Sequence, residues 1–182
     1  MHSDYTKLRL PNGVRVILAP QKSSVATTVL VLVETGSKYE TRRVNGLSHF
    51  LEHMCFKGTT RRPKPGDISE ELDGLGAIYN AFTETEMTGY WAKAKNDVAP
   101  ELLDIVSDLY LNPTFDSKEI EKEKGVIIEE INMYEDLPKW KVGELFMNLV
   151  YGDQPAGWSI AGRKEVVLRT KREDFIRYRG EH

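Results

Sequence analysis

The apolar positions change period several times along the chain, and each change marks an element. Residues 14–18 alternate and are β-branched, and the turn signal Pro11-Asn12-Gly13 precedes them, so they predict a strand. Residues 25–34 form a longer β-rich run, expected to be a buried strand paired with the first. From residue 45 the spacing becomes helical, with Leu47, Phe50, Leu51 and Met54 apolar and Asn45 or Ser48 as candidate caps. Pro63 and Pro65 limit any helix through residues 59–66, whose three basic residues, Arg61, Arg62 and Lys64, read as a solvated loop. A short helix is expected at 67–75, ending at Gly74 or Gly76. Residues 77–82 and 87–94 read as the two strands of a hairpin. Asn96 or Asp97 caps a helix to about Tyr110, and Asp116 or Ser117 caps a long one to about Tyr134. A further helix follows from about 139 to 150, then a turn, an irregular loop and a last helix from Thr170 or Lys171.

Strands followed by helices, a hairpin and more helices predict an α+β fold, a largely antiparallel sheet with helices packed on one side. The loops are too short to be linkers, so residues 1–182 read as a single domain. The formal net charge is −3, which gives no bulk attraction for nucleic acid. No apolar run approaches the ~20 residues that span a membrane. The first residues lack a secretory pattern, so the expected location is the cytoplasm, although a removed presequence would leave no trace. Cys55 is the only cysteine, which excludes an internal disulfide and a cysteine-based zinc site.

The chain has four histidines; His2 and His182 lie at its ends, and both interior ones fall in Ser48-His49-Phe50-Leu51-Glu52-His53-Met54. On a helix, positions i and i+4 share a face, so His49 and His53 present two imidazoles one turn apart. Glu52 lies on the same side, within reach of a water bound to a metal held there. Zinc with an open position for water is the usual catalytic arrangement, and a neighbouring carboxylate takes the proton of that water. His-x-x-Glu-His is the inverted form of a zinc-peptidase signature.

Two histidines leave such a site one protein ligand short, to be filled by a His or carboxylate from elsewhere. On the long helix Glu123, Ile127, Glu130 and Tyr134 fall in one stripe, while Lys122, Glu129, Asn132 and Asp136 fall on a polar side. A carboxylate on an inward face needs a partner, and a zinc ion is one. Glu123 and Glu130 lie two turns apart, ~10 Å along the axis, too far to share one ion. Glu130 is the expected ligand, with a structural ion pair as the alternative; Glu123 is expected to orient a histidine or a water.

The run from Ser48 to Thr59, together with Glu123-Lys124-Gly125-Val126-Ile127-Ile128-Glu129-Glu130-Ile131, resembles the pitrilysin-type inverzincin metallopeptidases, most of all the branch similar to mitochondrial processing peptidase. Asn12 to Val16, Glu34 to Ser37, Tyr79 to Thr83 and Tyr151 to Asp153 also match that pattern. The resemblance implies a zinc-dependent endopeptidase with ligands His49, His53 and Glu130, Glu52 as general base and Glu123 as a second essential glutamate. It implies that Asn80, Ala81 and Phe82 lie on an edge strand that receives an extended peptide. It also implies a half-unit, completed by a homologous second half in the same chain or in a partner chain as a dimer, and a domain that continues past His182. A catalytically silent, peptide-binding or structural subunit is the alternative. S-ribosylhomocysteine lyase shares the spacing of the motif, but its metal site adds a distant cysteine, a part Cys55 cannot play from two residues past His53.

Overall fold

The computed structural model describes residues 5–182. Its elements are β1 (Thr6–Arg9), β2 (Arg15–Leu18), β3 (Ala26–Val33), α1 (Leu47–Cys55), α2 (Asp67–Gly74), β4 (Ile78–Thr83), β5 (Thr88–Lys95), α3 (Ala99–Leu111), α4 (Ser117–Asp136), α5 (Pro138–Tyr151), α6 (Lys164–Arg169) and α7 (Arg172–Glu181). The fold is α+β, as the alternation of patterns predicts.

The strands form two antiparallel sheets, β1-β2 and β3-β5-β4. The expected pairing of residues 14–18 with 25–34 is therefore corrected: β2 pairs with β1, while β3 pairs with β5, Val31 opposite Tyr90 and Val33 opposite Thr88. The run at β3 is also only half-buried, with Leu30 and Leu32 exposed and Val29, Val31 and Val33 turned inward. Strand periodicity says which residues share a face, but partner choice depends on segments distant in sequence.

On β5 the inward set is Thr88, Tyr90, Ala92 and Ala94, all buried. Helices α1 and α3 cover this face. Leu47, Phe50, Leu51, Met54 and Cys55 of α1 join the core, and α4 and α7 pack against α1 on its other sides. The opposite sheet face, bearing Leu30, Leu32, Ile78 and Asn80, carries no helix among the described residues, in agreement with helices on one side.

Two local expectations change. Residues 164–169, read as irregular loop, form α6, which buries Val166 and Val167 against the core. The basic loop at 59–66 is not simply solvated. Arg62 donates to Asp104, Asp108 and Glu71, and Arg61 donates to Asp104 and Asp108. Asp108 is fully buried and also accepts from Thr59 and Asn112. This network clamps the segment after α1 onto α3. His2 lies outside the described residues.

Candidate metal centre

Helix α1 starts without a side-chain cap of its own. Its N-cap is Gly46, at φ 97°, where a Cβ would lie 2.6 Å from the Ala161 carbonyl oxygen. The expected cap at Asn45 or Ser48 is therefore corrected: neither side chain caps the helix, and Glu40 does so from six residues upstream. The Glu40 carboxylate accepts from the backbone N–H of Gly46 and of Ser48, each at 2.7 Å, and from Asn45 Nδ2 at 3.0 Å. Burial pushes the Glu40 carboxyl up from its ordinary value, against those hydrogen bonds. From the other side, the Tyr178 hydroxyl lies 2.8 Å from Ser48 Oγ and 3.1 Å from Thr35 Oγ1. The helix that carries the motif is thus held at its first turn by a buried acid and a buried phenol.

On that helix His49 Nε2 and His53 Nε2 lie 3.2 Å apart. Glu130 of α4 places Oε2 3.6 Å from the first and 3.5 Å from the second. His49, His53 and Glu130 are the group of metal-capable side chains brought together among the described residues. Ligands ~2.0–2.1 Å from a tetrahedral ion are separated by about 3.3 Å, so the spacing of this N, N, O set fits zinc.

The surroundings point the same way. His53 Nδ1 is 2.9 Å from Glu123 Oε1, and Glu123 Oε2 accepts from Lys57 Nζ at 2.6 Å. A carboxylate that accepts a hydrogen bond from Nδ1–H fixes the tautomer and leaves Nε2 as the ligating atom. His49 Nδ1, by contrast, is buried with no hydrogen-bond partner. Burial pushes the Glu123 carboxyl up, but His53 and Lys57 outweigh it and hold it below its ordinary value. Bonds from His49 and His53 hold Glu130 far below the usual carboxylate range. Burial pulls His53 down, yet Glu123 and Glu130 together raise it to about 9. A cation between the rings would displace that proton.

Glu52, next to the pair, accepts from Thr83 Oγ1 at 2.5 Å. Burial raises its carboxyl above the ordinary value, partly offset by Thr83, His49 and His53. Asn80, Ala81 and Phe82 lie on β4, an edge strand of its sheet. Ala81 and Thr83 face α1, whereas Asn80 and Phe82 face the open side. There Phe82 covers Gly89, on which a Cβ would collide with its ring. Asn80 Oδ1 accepts from the Ala81 N–H at 2.9 Å.

The wheel separation holds on α4. Glu123 and Ile127 are buried, Glu130 is half-buried and Glu129 is exposed. Three contributors have a role that the sequence does not reveal: Glu40, Lys57 and Thr83. Each acts through a contact between segments, and nothing in its local pattern marks it.

A family model described as Insulinase (Peptidase family M16) matches residues 15–164. An uncharacterized zinc protease of Bacillus subtilis is 40% identical over 167 residues, covering 92% of this chain and 41% of that protein. The beta subunit of mitochondrial-processing peptidase from Bos taurus is 38% identical over 170 residues, covering 93% of this chain and 34% of the subunit. Among solved structures, a protease from Helicobacter pylori superposes with a TM-score of 0.91 at 23% identity, covering 97% of this chain and 43% of that one. Pitrilysin superposes with a TM-score of 0.88 at 22% identity, covering all of this chain and 20% of that one. At those identities the likeness is one of fold. The chain spans about two fifths of the length of the bacterial relatives it matches.

Proposed function

The chain belongs to the insulinase family, peptidase family M16, and we propose that it is the zinc-binding half of a metalloendopeptidase acting on extended peptides. The observation that carries the reading is the convergence of His49 Nε2, His53 Nε2 and Glu130 Oε2 within 3.2–3.6 Å, beside Glu52.

Zinc, when bound, supplies a Lewis acid that polarises a peptide carbonyl and lowers the pKa of a water. His49, His53 and Glu130 would hold it. Glu123 accepts a hydrogen bond from the Nδ1–H of His53 and fixes that ring, while Lys57 keeps Glu123 ionised. Glu52 removes the proton of the attacking water and delivers it to the leaving amine nitrogen. An incoming peptide adds as a further strand to the free edge of β4 at Asn80, Ala81 and Phe82. The complete active chamber needs a second homologous half, in cis or as a partner chain, which accords with the two-fifths span of the relatives. Residues 1–182 serve as a single zinc-binding domain within that larger unit.

The test uses the complete protein. Glu52→Gln is expected to keep one zinc per site and to lower peptide hydrolysis by ~10²–10⁴-fold. Full hydrolysis by the zinc-loaded Glu52→Gln protein would remove Glu52 as the base. A catalytically silent peptide-binding role is the competing reading. It predicts no zinc under replete conditions.

A further inference from the structure

The proposed mechanism asks more of Glu52 than presence. A glutamate side chain has several rotatable bonds, and its carboxylate offers two oxygens with about four lone-pair sites. To accept a proton from a water of fixed position, it must be held in one orientation, and a misplaced base forfeits much of its effect. Among the described contacts, the one hydrogen bond to the Glu52 carboxylate comes from Thr83 Oγ1, at 2.5 Å to Oε2.

The mount of that hydroxyl is unusually well fixed. Thr83 is the last residue of β4 and pairs with Thr88 of β5. Its branched Cβ restricts χ1. Thr88 is buried and donates its own hydroxyl to the Thr35 carbonyl at 2.9 Å. The hairpin tip just beyond is closed by the Glu84 N–H donating to the Met87 carbonyl at 2.8 Å. The tip is then clamped by the segment after β3. Ser37 N–H donates to the Glu84 carbonyl at 3.3 Å and Lys38 N–H to the Thr85 carbonyl at 2.9 Å. Gly36 makes this approach possible, since a Cβ there would sit 2.2 Å from the Glu84 oxygen. Lys38 and Glu86 add an ion pair on the outside. The Thr83 hydroxyl therefore has little freedom to move relative to α1.

We propose that Thr83 is a positioning residue for the base: its hydroxyl pins one oxygen of Glu52, leaving the other as the acceptor for the attacking water. The proposal rests on the reading of Glu52 as general base and adds to it a physical link. The edge strand that would receive the peptide backbone also carries the group that aims the base. Seating the peptide and aligning the base then share one rigid element, because Asn80 to Thr83 is continuous strand.

The test compares Thr83→Val and Thr83→Ser in the complete, zinc-loaded protein, with Glu52→Gln alongside. Valine keeps the branched shape and removes the hydroxyl; serine keeps the hydroxyl. Losing one hydrogen bond to a charged group predicts a kcat roughly 10-fold lower or more in Thr83→Val, with KM for an extended peptide within about twofold. Thr83→Ser recovers most of that loss. Zinc affinity by chelator competition and the thermal midpoint stay at the starting values in both. A crystal structure of Thr83→Val shows the Glu52 carboxylate in more than one orientation. Unchanged kcat in Thr83→Val, with Glu52→Gln inactive, overturns the positioning role while leaving the base assignment intact. Equal loss in the valine and serine variants, or a tenfold weaker zinc affinity in Thr83→Val, overturns it in favour of a packing or metal-supporting role. An active Glu52→Gln overturns the base reading itself, and the positioning role with it.

Discussion

Helices α4 and α5 follow one another in the chain, pack against each other and differ in almost every other respect. Helix α4 is rich in charge, yet it buries Ile120, Glu123, Lys124, Ile127 and Ile131. Helix α5 carries a regular apolar stripe, Val142, Leu145, Phe146 and Leu149, and buries nothing among the described residues. Leu149 is 83% exposed, whereas Ile127 is fully covered. The difference teaches that an amphipathic pattern states what a helix can bury. Whether it does so depends on a surface that fits against it. Helix α4 finds that surface on α1, and its two inward glutamates are accommodated because His49, His53 and Lys57 meet them there.

The contrast is broken most directly by mutation at its two extremes. Ile127→Ala should destabilise the chain by about 2–4 kcal/mol, through lost transfer energy and a residual cavity, measured by denaturant unfolding. A loss below 1 kcal/mol would mean that α4 is not part of the cooperative core. Glu123→Gln tests the polar side of the same helix. It removes the charge that holds the Nδ1 proton of His53 and pairs with Lys57, so zinc affinity should fall ~10–100-fold in a chelator competition. Retention of full affinity would show that the His53 ring needs no outer partner.

A third test uses acid on another buried carboxylate. Burial alone would push the Asp108 carboxyl up. Thr59, Asn112, Arg62 and Arg61 outweigh it and lower it to about 2, from an ordinary 3.8. A depressed folded-state value contributes stability above the unfolded value, lost as pH falls through the folded one. The contribution, about 2 kcal/mol, is therefore present above pH ~4 and disappears toward pH 2. Asp108→Asn should flatten that part of the stability profile, and an unchanged acid slope would remove the network from the account. The smallest effect belongs to α5. Leu149→Glu should change stability by no more than about 0.5 kcal/mol, as for any exposed site. A cost of 2 kcal/mol or more would show that this face is covered in solution.

Much of the site was legible before any coordinates. Helical spacing puts His49 and His53 on one face, and the wheel of α4 separates Glu123 and Glu130 from Glu129, because both arguments use only a 3.6-residue period within one element. The hairpin of β4 and β5 was legible for the same reason, since its partners are adjacent in sequence. The pairing of β3 is not legible, because the nearest candidate strand in the chain is not its partner in the sheet. The loop at 59–66 reads as solvated, because nothing local reveals that Asp104 and Asp108 lie across from Arg61 and Arg62. Residues 164–169 read as loop, because a six-residue helix has too few turns to show a period.

By itself, then, the chain determined which atoms are available for metal chemistry and which face of each helix holds them, because periodicity and side-chain type are local properties. Tertiary structure decided whether those atoms meet. It placed Glu130 within 3.6 Å of both imidazoles, set Lys57 behind Glu123, brought Glu40 to the start of α1, and laid the Thr83 hydroxyl against Glu52. It also left the apolar stripe of α5 in the open. These are distances between segments far apart in the sequence. They follow from how the layers pack, which no local period encodes.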